Sequence, residues 1–317
     1  MKTWYLVLAT AIATFLLLVV GGTVHPSGSS LACPDWPTCF GSLVPEMKGA
    51  VFFEHGHRLV ATLVGAMTWT VAVCLWRSRP ADRALRWLGV LAAFLVLLQG
   101  VLGGVTVIYR LPVVVSTAHL GLALVFFGLQ VYLCFAARPD ARPPVVRGEP
   151  ARQTRIAFMV GAGAVYAQVI LGAYLRHTGA GYACTDIPFC QGELWPDLVW
   201  GQLHMVHRMV GVLLLPVLCG VSVYAARRAV AQPGVRAMIW SGPITLVLQV
   251  GIGVWMVLES IDWVPASIHT GVAALLLVTQ LVGWFSLVSF GELQVSASEH
   301  HEIGTSPRGP NSSRSST

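Results

Sequence analysis

Along the chain, apolar stretches of roughly twenty residues alternate with short polar ones. The apolar runs fall at about 4–22, 52–76, 87–108, 113–137, 156–175, 200–226, 237–258 and 264–289. Each is long enough, as a helix, to cross a hydrocarbon core of about 30 Å. The first run exceeds the usual h-region of a secretory signal, about 7–15 residues, and a matching run opens the second half. It is therefore read as a span. The pattern predicts an all-α integral membrane protein of eight transmembrane helices, arranged as two tandem four-helix bundles.

Composition agrees, since 55% of residues are hydrophobic and only 11% are charged, against about a quarter charged in soluble domains. The net charge of +6 would suit nucleic acid or an anionic surface, but its distribution points elsewhere. The loops after spans 2, 4 and 6, together with Lys2, Arg308 and Arg314, hold 15 of the 20 Lys and Arg. This bias predicts that both termini and these loops are cytoplasmic, and that the cysteine-bearing loops face outward. No nucleic-acid partner is implied. The expected organisation is an N-terminal half over 1–140, a Pro- and Arg-rich cytoplasmic linker over 141–155, a C-terminal half over 156–290 and a polar, low-complexity tail over 291–317, expected to be disordered.

The polar residues repeat. CPDWPTCFGSLVPEMKGAVFFEHGHR at Cys33–Arg58 returns as CTDIPFCQGELWPDLVWGQLHMVHR at Cys184–Arg208, offset by 151 residues through Pro45/Pro196 and by 150 from His57/His207 onward. Gln99, Gly103, His119 and Gly121 match Gln249, Gly253, His269 and Gly271 at the same 150. Each half has an even number of spans, so the halves share one orientation and should be related by a pseudo-twofold axis along the membrane normal.

Four histidines then stand at equivalent depth near the outer face: His57, His119, His207 and His269, with 62 residues separating the members of each pair. Ionisable groups inside spans are costly and usually serve a function. Facing imidazoles across a four-helix bundle can hold a haem iron, and the spacing predicts one haem-sized site per half. Zinc fits less well, because the cysteines lie in loops and nearby carboxylates do not complete a four-ligand set.

The halves differ at one point. Glu54 lies one helical turn before His57, where the second half has His204. Glu54 could act chemically beside a haem or pair with Arg58 at i+4. Arg58 and Arg208 follow the histidines and are read as partners of haem propionates, with interfacial snorkelling the alternative. His55 and His204 suggest supporting or solvent-facing roles, and His25 and His177 receive none. Cys33/Cys39 and Cys184/Cys190 lie on the oxidising side, where loop disulfides are expected; a structural staple, a redox-active bond and a metal site all remain open. Cys74, Cys134 and Cys219 read as small core residues.

Taken together, CPDWPTC, EHGHR (54–58), STAHLG (116–121), CTDIPFC, HMVHR (204–208) and SIHTG (267–271) resemble the haem A synthase family, in its bacterial form with paired loop cysteines. The resemblance spans about residues 1–290 and implies an oxidoreductase that converts the C8 methyl of haem O to the formyl of haem A for aa3-type terminal oxidases. It implies that His57 and His119 flank the substrate haem, that His207 and His269 hold a haem b cofactor, and that Glu54 is the catalytic carboxylate. It further implies a Cys33–Cys39 disulfide important to activity, substrate delivery by haem O synthase, an electron-transfer partner of unknown identity and a role in cytochrome oxidase assembly. The competing reading is a bis-histidine membrane cytochrome b without porphyrin chemistry, which leaves the Glu54/His204 difference unexplained. A haem carrier or assembly factor is a third.

Overall fold

A computed structural model describes residues 2–139, 149–228 and 233–287. The chain runs through α1 (Lys2–Val24), α2 (Gly49–Ser78), α3 (Arg83–Ile108), α4 (Val113–Ala136), α5 (Glu149–His177), α6 (Val199–Ala226), α7 (Pro233–Leu258) and α8 (Trp263–Leu287). One 3₁₀ turn, Ala180–Ala183, follows α5. All eight helices are long and apolar enough to cross a membrane, and among the described residues there is no β-strand. The protein is a multi-pass membrane protein.

Most helices begin or end beyond their apolar runs. Hydropathy marks the part of a helix that sits in hydrocarbon, whereas backbone hydrogen bonding continues into the headgroup region. There the polar ends of α2 and α3 carry Arg77, Arg83 and Arg86. Likewise α5 starts at Glu149, inside the stretch read as linker. The rest of that linker, to residue 148, and the tail lie outside the described residues.

Packing closes two rings. Helices α1 to α4 contact in succession and α4 returns to α1; α5 to α8 do the same, with α8 returning to α5. The rings meet through α1 with α8, α4 with α5 and α4 with α8. The largest buried cluster lies along this seam and includes Leu18, Phe127, Val165, Leu218, Leu246 and Leu277. Large apolar side chains point outward from many helices, such as Leu63, Leu97, Leu213 and Val247, as lipid-facing positions require. Between helices, lipid offers no less hydrocarbon than a neighbour does, so close contact depends on small residues. At one such contact Phe158 packs directly on Gly283.

The connections α1–α2 and α5–α6 carry the cysteine motifs. Both pairs are disulfides, Cys33–Cys39 and Cys184–Cys190, with Cα atoms 4.8 Å apart in each. The connections α3–α4 and α7–α8 are short, and both place two successive non-glycine residues in the left-handed region, Arg110–Leu111 and Ser260–Ile261.

Candidate functional site

Each disulfide loop is built around its aspartate. Cys39 pairs with Ser42 across a tight turn whose central residues, Phe40 and Gly41, have φ of 53° and 73°. The Asp35 carboxylate accepts from the Thr38 hydroxyl and from the Phe40 and Gly41 amides, at 2.6 and 2.9 Å for the amides. In the second loop Asp186 accepts from the Gln191 and Gly192 amides at 2.8 and 3.1 Å. These donors hold both carboxyls below the usual carboxylate range, the Thr38 hydroxyl acting most strongly on Asp35 and the Gln191 amide on Asp186. The aspartate of the Cys-x-Asp-x-Pro-x-Cys motif therefore shapes the turn. Its repetition in the sequence signalled a role without revealing which.

The loops are anchored to the helices below them by the arginines. Arg58 donates to the carbonyls of Asp35 and Thr38 at 2.8 and 2.6 Å and to Glu54 Oε1 at 2.5 Å. Arg208 donates to the carbonyls of Asp186 and Phe189, each at 2.8 Å, and to Cys184 O at 3.1 Å. Sequence reasoning set both against haem propionates; in the structure their guanidinium groups are bonded to loop carbonyls. A bend that turns several carbonyls toward one point suits a planar fork of donors.

Glu54 is buried, at 4% exposure. Beyond its pairing with Arg58, its Oε2 accepts the Cys33 amide at 2.9 Å. The carboxylate thus ties the first disulfide to the first turns of α2, one turn before His57. His204 occupies the equivalent place in the second half and is also buried. There, Arg208 makes the link to the cysteine through the Cys184 carbonyl. His55 is not solvent-facing either: it is buried, bonds Leu43 O at 3.1 Å and lies beside the Cys33 and Cys39 sulfurs. Those sulfurs are bonded to each other and do not form a thiolate metal site with it. Met205 takes the place of His55 in the second half, packed on the second disulfide.

The four paired histidines share a feature that sequence reasoning missed. Each ring lies against a glycine of the preceding helix. A Cβ at Gly21 would sit 3.0 Å from His57 Cε1, and one at Gly103 would sit 3.4 Å from His119 Cε1. The corresponding distances are 2.8 Å for Gly172 and His207 and 3.2 Å for Gly253 and His269. The odd-numbered helices thus supply flat seats for rings projecting from the even-numbered ones. Gly21 and Gly172 are offset by 151, and Gly103 and Gly253 by 150. Gln99 and Gln249 brace the same helices, donating to the carbonyls of His119 and His269 at 2.9 and 3.0 Å. Gln168 lies 3.1 Å from His207 Nδ1 and donates to its carbonyl at 2.7 Å, where the first half has Leu17.

Within each half the two histidines stand on diagonally placed helices of one ring, His57 on α2 with His119 on α4, and His207 on α6 with His269 on α8. Among the described residues no hydrogen bond reaches Nε2 of any of the four. A neutral imidazole backed by a seat, with one nitrogen uncommitted, is a donor suited to haem iron. The residues present therefore fit that group.

Eight apolar spans, two disulfide loops and two seated histidine pairs define a helical membrane protein of the haem-handling class. The family model described as cytochrome oxidase assembly protein matches residues 3–281. A haem A synthase of Symbiobacterium thermophilum is 32% identical over 300 residues, covering 91% of this chain and 94% of its own. Those of Halalkalibacterium halodurans and Lysinibacillus sphaericus are each 28% identical; they cover 85% and 94% of this chain, and 92% and 96% of their own. The chain belongs to the haem A synthase family of cytochrome oxidase assembly proteins.

Proposed function

We propose that this protein is an oxidoreductase converting haem O to haem A, oxidising the C8 methyl group to a formyl group for aa3-type oxidases. In this reading the halves are related by a pseudo-twofold axis along the membrane normal. Both termini are cytoplasmic and the disulfide loops face outward. His57 and His119 flank the substrate in the N-terminal half, and His207 and His269 hold a haem b in the C-terminal half. When bound, haem b supplies one-electron redox chemistry.

The observation that carries the assignment of roles is the Glu54/His204 difference. The two halves share their seats, bracing glutamines, anchoring arginines and disulfides. Among the described residues, only the N-terminal half places a buried carboxylate one turn from its histidine pair. Glu54 can hold a negative charge there or move a proton, with Arg58 and the Cys33 amide fixing its position. Arg58 and Arg208 tie the disulfide loops to the starts of α2 and α6, next to the histidines. Haem O would come from haem O synthase, and electrons would leave to an electron-transfer partner.

The test is conversion in a bacterial host that makes haem O but not haem A. Expression of this chain is expected to yield haem A in extracted pigments, and Glu54→Gln to yield only haem O and haem b. Two haems b per chain, with haem O left unchanged, would instead indicate the electron-transferring cytochrome.

A further inference from the structure

Arg58 and Arg208 are bonded to loop carbonyls. A different cation lies at the outer end of the seam. Arg176, in the last turn of α5, is partly buried and donates to Gly22 O at 2.5 Å and Thr270 Oγ1 at 3.4 Å. Neither acceptor carries a charge. Among the described residues no carboxylate lies within ion-pair reach of Arg176. A guanidinium has five N–H donors, and holding its charge away from water without an anion is costly.

Two imidazoles stand beside it. The His25 ring lies 5.2 Å from that of His177, edge to face. His177 Nδ1 is buried with no hydrogen-bond partner. Burial, and then the nearby Arg176 charge, hold His25 below the usual histidine pKa. The placement of the arginine is specific. It stands one turn beyond Gly172, the seat of His207, and its acceptor Thr270 follows His269. His25 stands at the matching position of the first half, one turn beyond Gly21 and 151 residues before Arg176. The difference in residue type hides this equivalence in the sequence.

We propose that Arg176, with His177 and His25 beside it, forms an anion site that holds a carboxylate side chain of the porphyrin bound by His207 and His269. The site rests on the haem assignment above and adds to it the group that orients the porphyrin. It also places a positive charge at the seam between the two histidine pairs.

The test uses the full-length protein in detergent, depleted of haem and reloaded with haem b or with haem b dimethyl ester, which lacks both carboxylates. Binding is read from the bis-histidine absorption bands. In the unaltered protein the ester is expected to bind about tenfold more weakly, the scale on which outer partners affect metal-site affinity. In Arg176→Ala that preference should vanish, with the free acid falling to the level of the ester, while Arg176→Lys retains part of it. If Arg176→Ala prefers the acid as strongly as the unaltered protein does, the proposal is overturned. The same holds if acid and ester bind equally in the unaltered protein, as they would were the arginine holding a lipid phosphate or a small anion. Should the Ala variant not fold, Arg176→Gln against Arg176→Lys makes the same comparison. Absence of bis-histidine bands in the unaltered protein would overturn the haem assignment itself, and is thereby distinguishable from failure of the arginine's role.

Discussion

Replacing Glu54 by glutamine separates its charge from its place in the fold. The carboxylate makes two buried contacts, one to the Cys33 amide at 2.9 Å and one to Arg58 at 2.5 Å. Glu54→Ala would remove both and leave the Cys33 N–H without an acceptor, a cost of about 1–3 kcal/mol. Breaking a buried ion pair from one side costs about 3–5 kcal/mol. Arg58 keeps two carbonyl partners, so the total should lie near the lower end of the two together, about 4 kcal/mol. Glu54→Gln keeps an oxygen for the Cys33 amide and loses only the charge-assisted part of the pairing, about 1–2 kcal/mol. The Gln variant should therefore fold and keep the haem b spectrum. Loss of a positioned acid or base typically costs about 10²–10⁴ in rate, and haem A in extracted pigments should drop by at least about a hundredfold. Absorption spectra, thermal melting and pigment chromatography on one preparation give all three quantities. Haem A formation within a few-fold of the unaltered protein would refute the catalytic role. Loss of the haem b spectrum together with haem A would make Glu54 a structural clamp instead.

Other expectations follow from the seats and loops. Gly172→Ala and Gly253→Ala place a methyl group 2.8 and 3.2 Å from the His207 and His269 imidazoles and should weaken or abolish the bis-histidine spectrum. Gly163→Ala and Gly251→Ala, with nothing within 4 Å, should leave it unchanged; equal effects at all four sites would remove the seat argument. Cys33→Ser with Cys39→Ser opens a small loop whose closure is worth about 2 kcal/mol on the chain-entropy model. A staple predicts a lower melting temperature with haem A still formed, whereas loss of haem A at unchanged stability would assign the bond a redox part. Because Asp35 and Asp186 have lowered pKa values, their hold on the loops is complete above the ordinary carboxylate value of about 3.9 and disappears as pH falls through the lower folded value. Hydrogen exchange should show both loops loosening on that acid side, and Asp35→Asn should remove the dependence from the first loop alone; a pH-independent first loop in the unaltered protein would contradict this.

The parts legible in the sequence are those that depend on residue type at a fixed spacing. Eight apolar runs, two Cys-x-Asp-x-Pro-x-Cys loops and four histidines separated by 62 in each pair can be read without coordinates. What escaped depends on how surfaces meet. Gly172 and Gly163 look alike in sequence, yet one backs an imidazole and the other faces open space. Arg58 and Arg208 follow their histidines at the membrane boundary, which suggests propionates; only the inward bend of the loop shows that its carbonyls are bonded to them. Arg176 was invisible as a site because its counterpart is a histidine, and because its partners come from α1 and α8, distant in the chain. Helix ends extend past the hydropathy limits for the reason that hydropathy does not sense backbone hydrogen bonding.

The central claim is that one chain holds two porphyrins in different roles, and the direct measurement is pigment content after removing one histidine pair at a time. Purified from a host that makes haem O, His57→Ala with His119→Ala should lose haem O and haem A while keeping one haem b per chain. His207→Ala with His269→Ala should lose the haem b bands. If both double variants lose the same pigment, or neither changes its pigments, the division of labour between the halves is wrong.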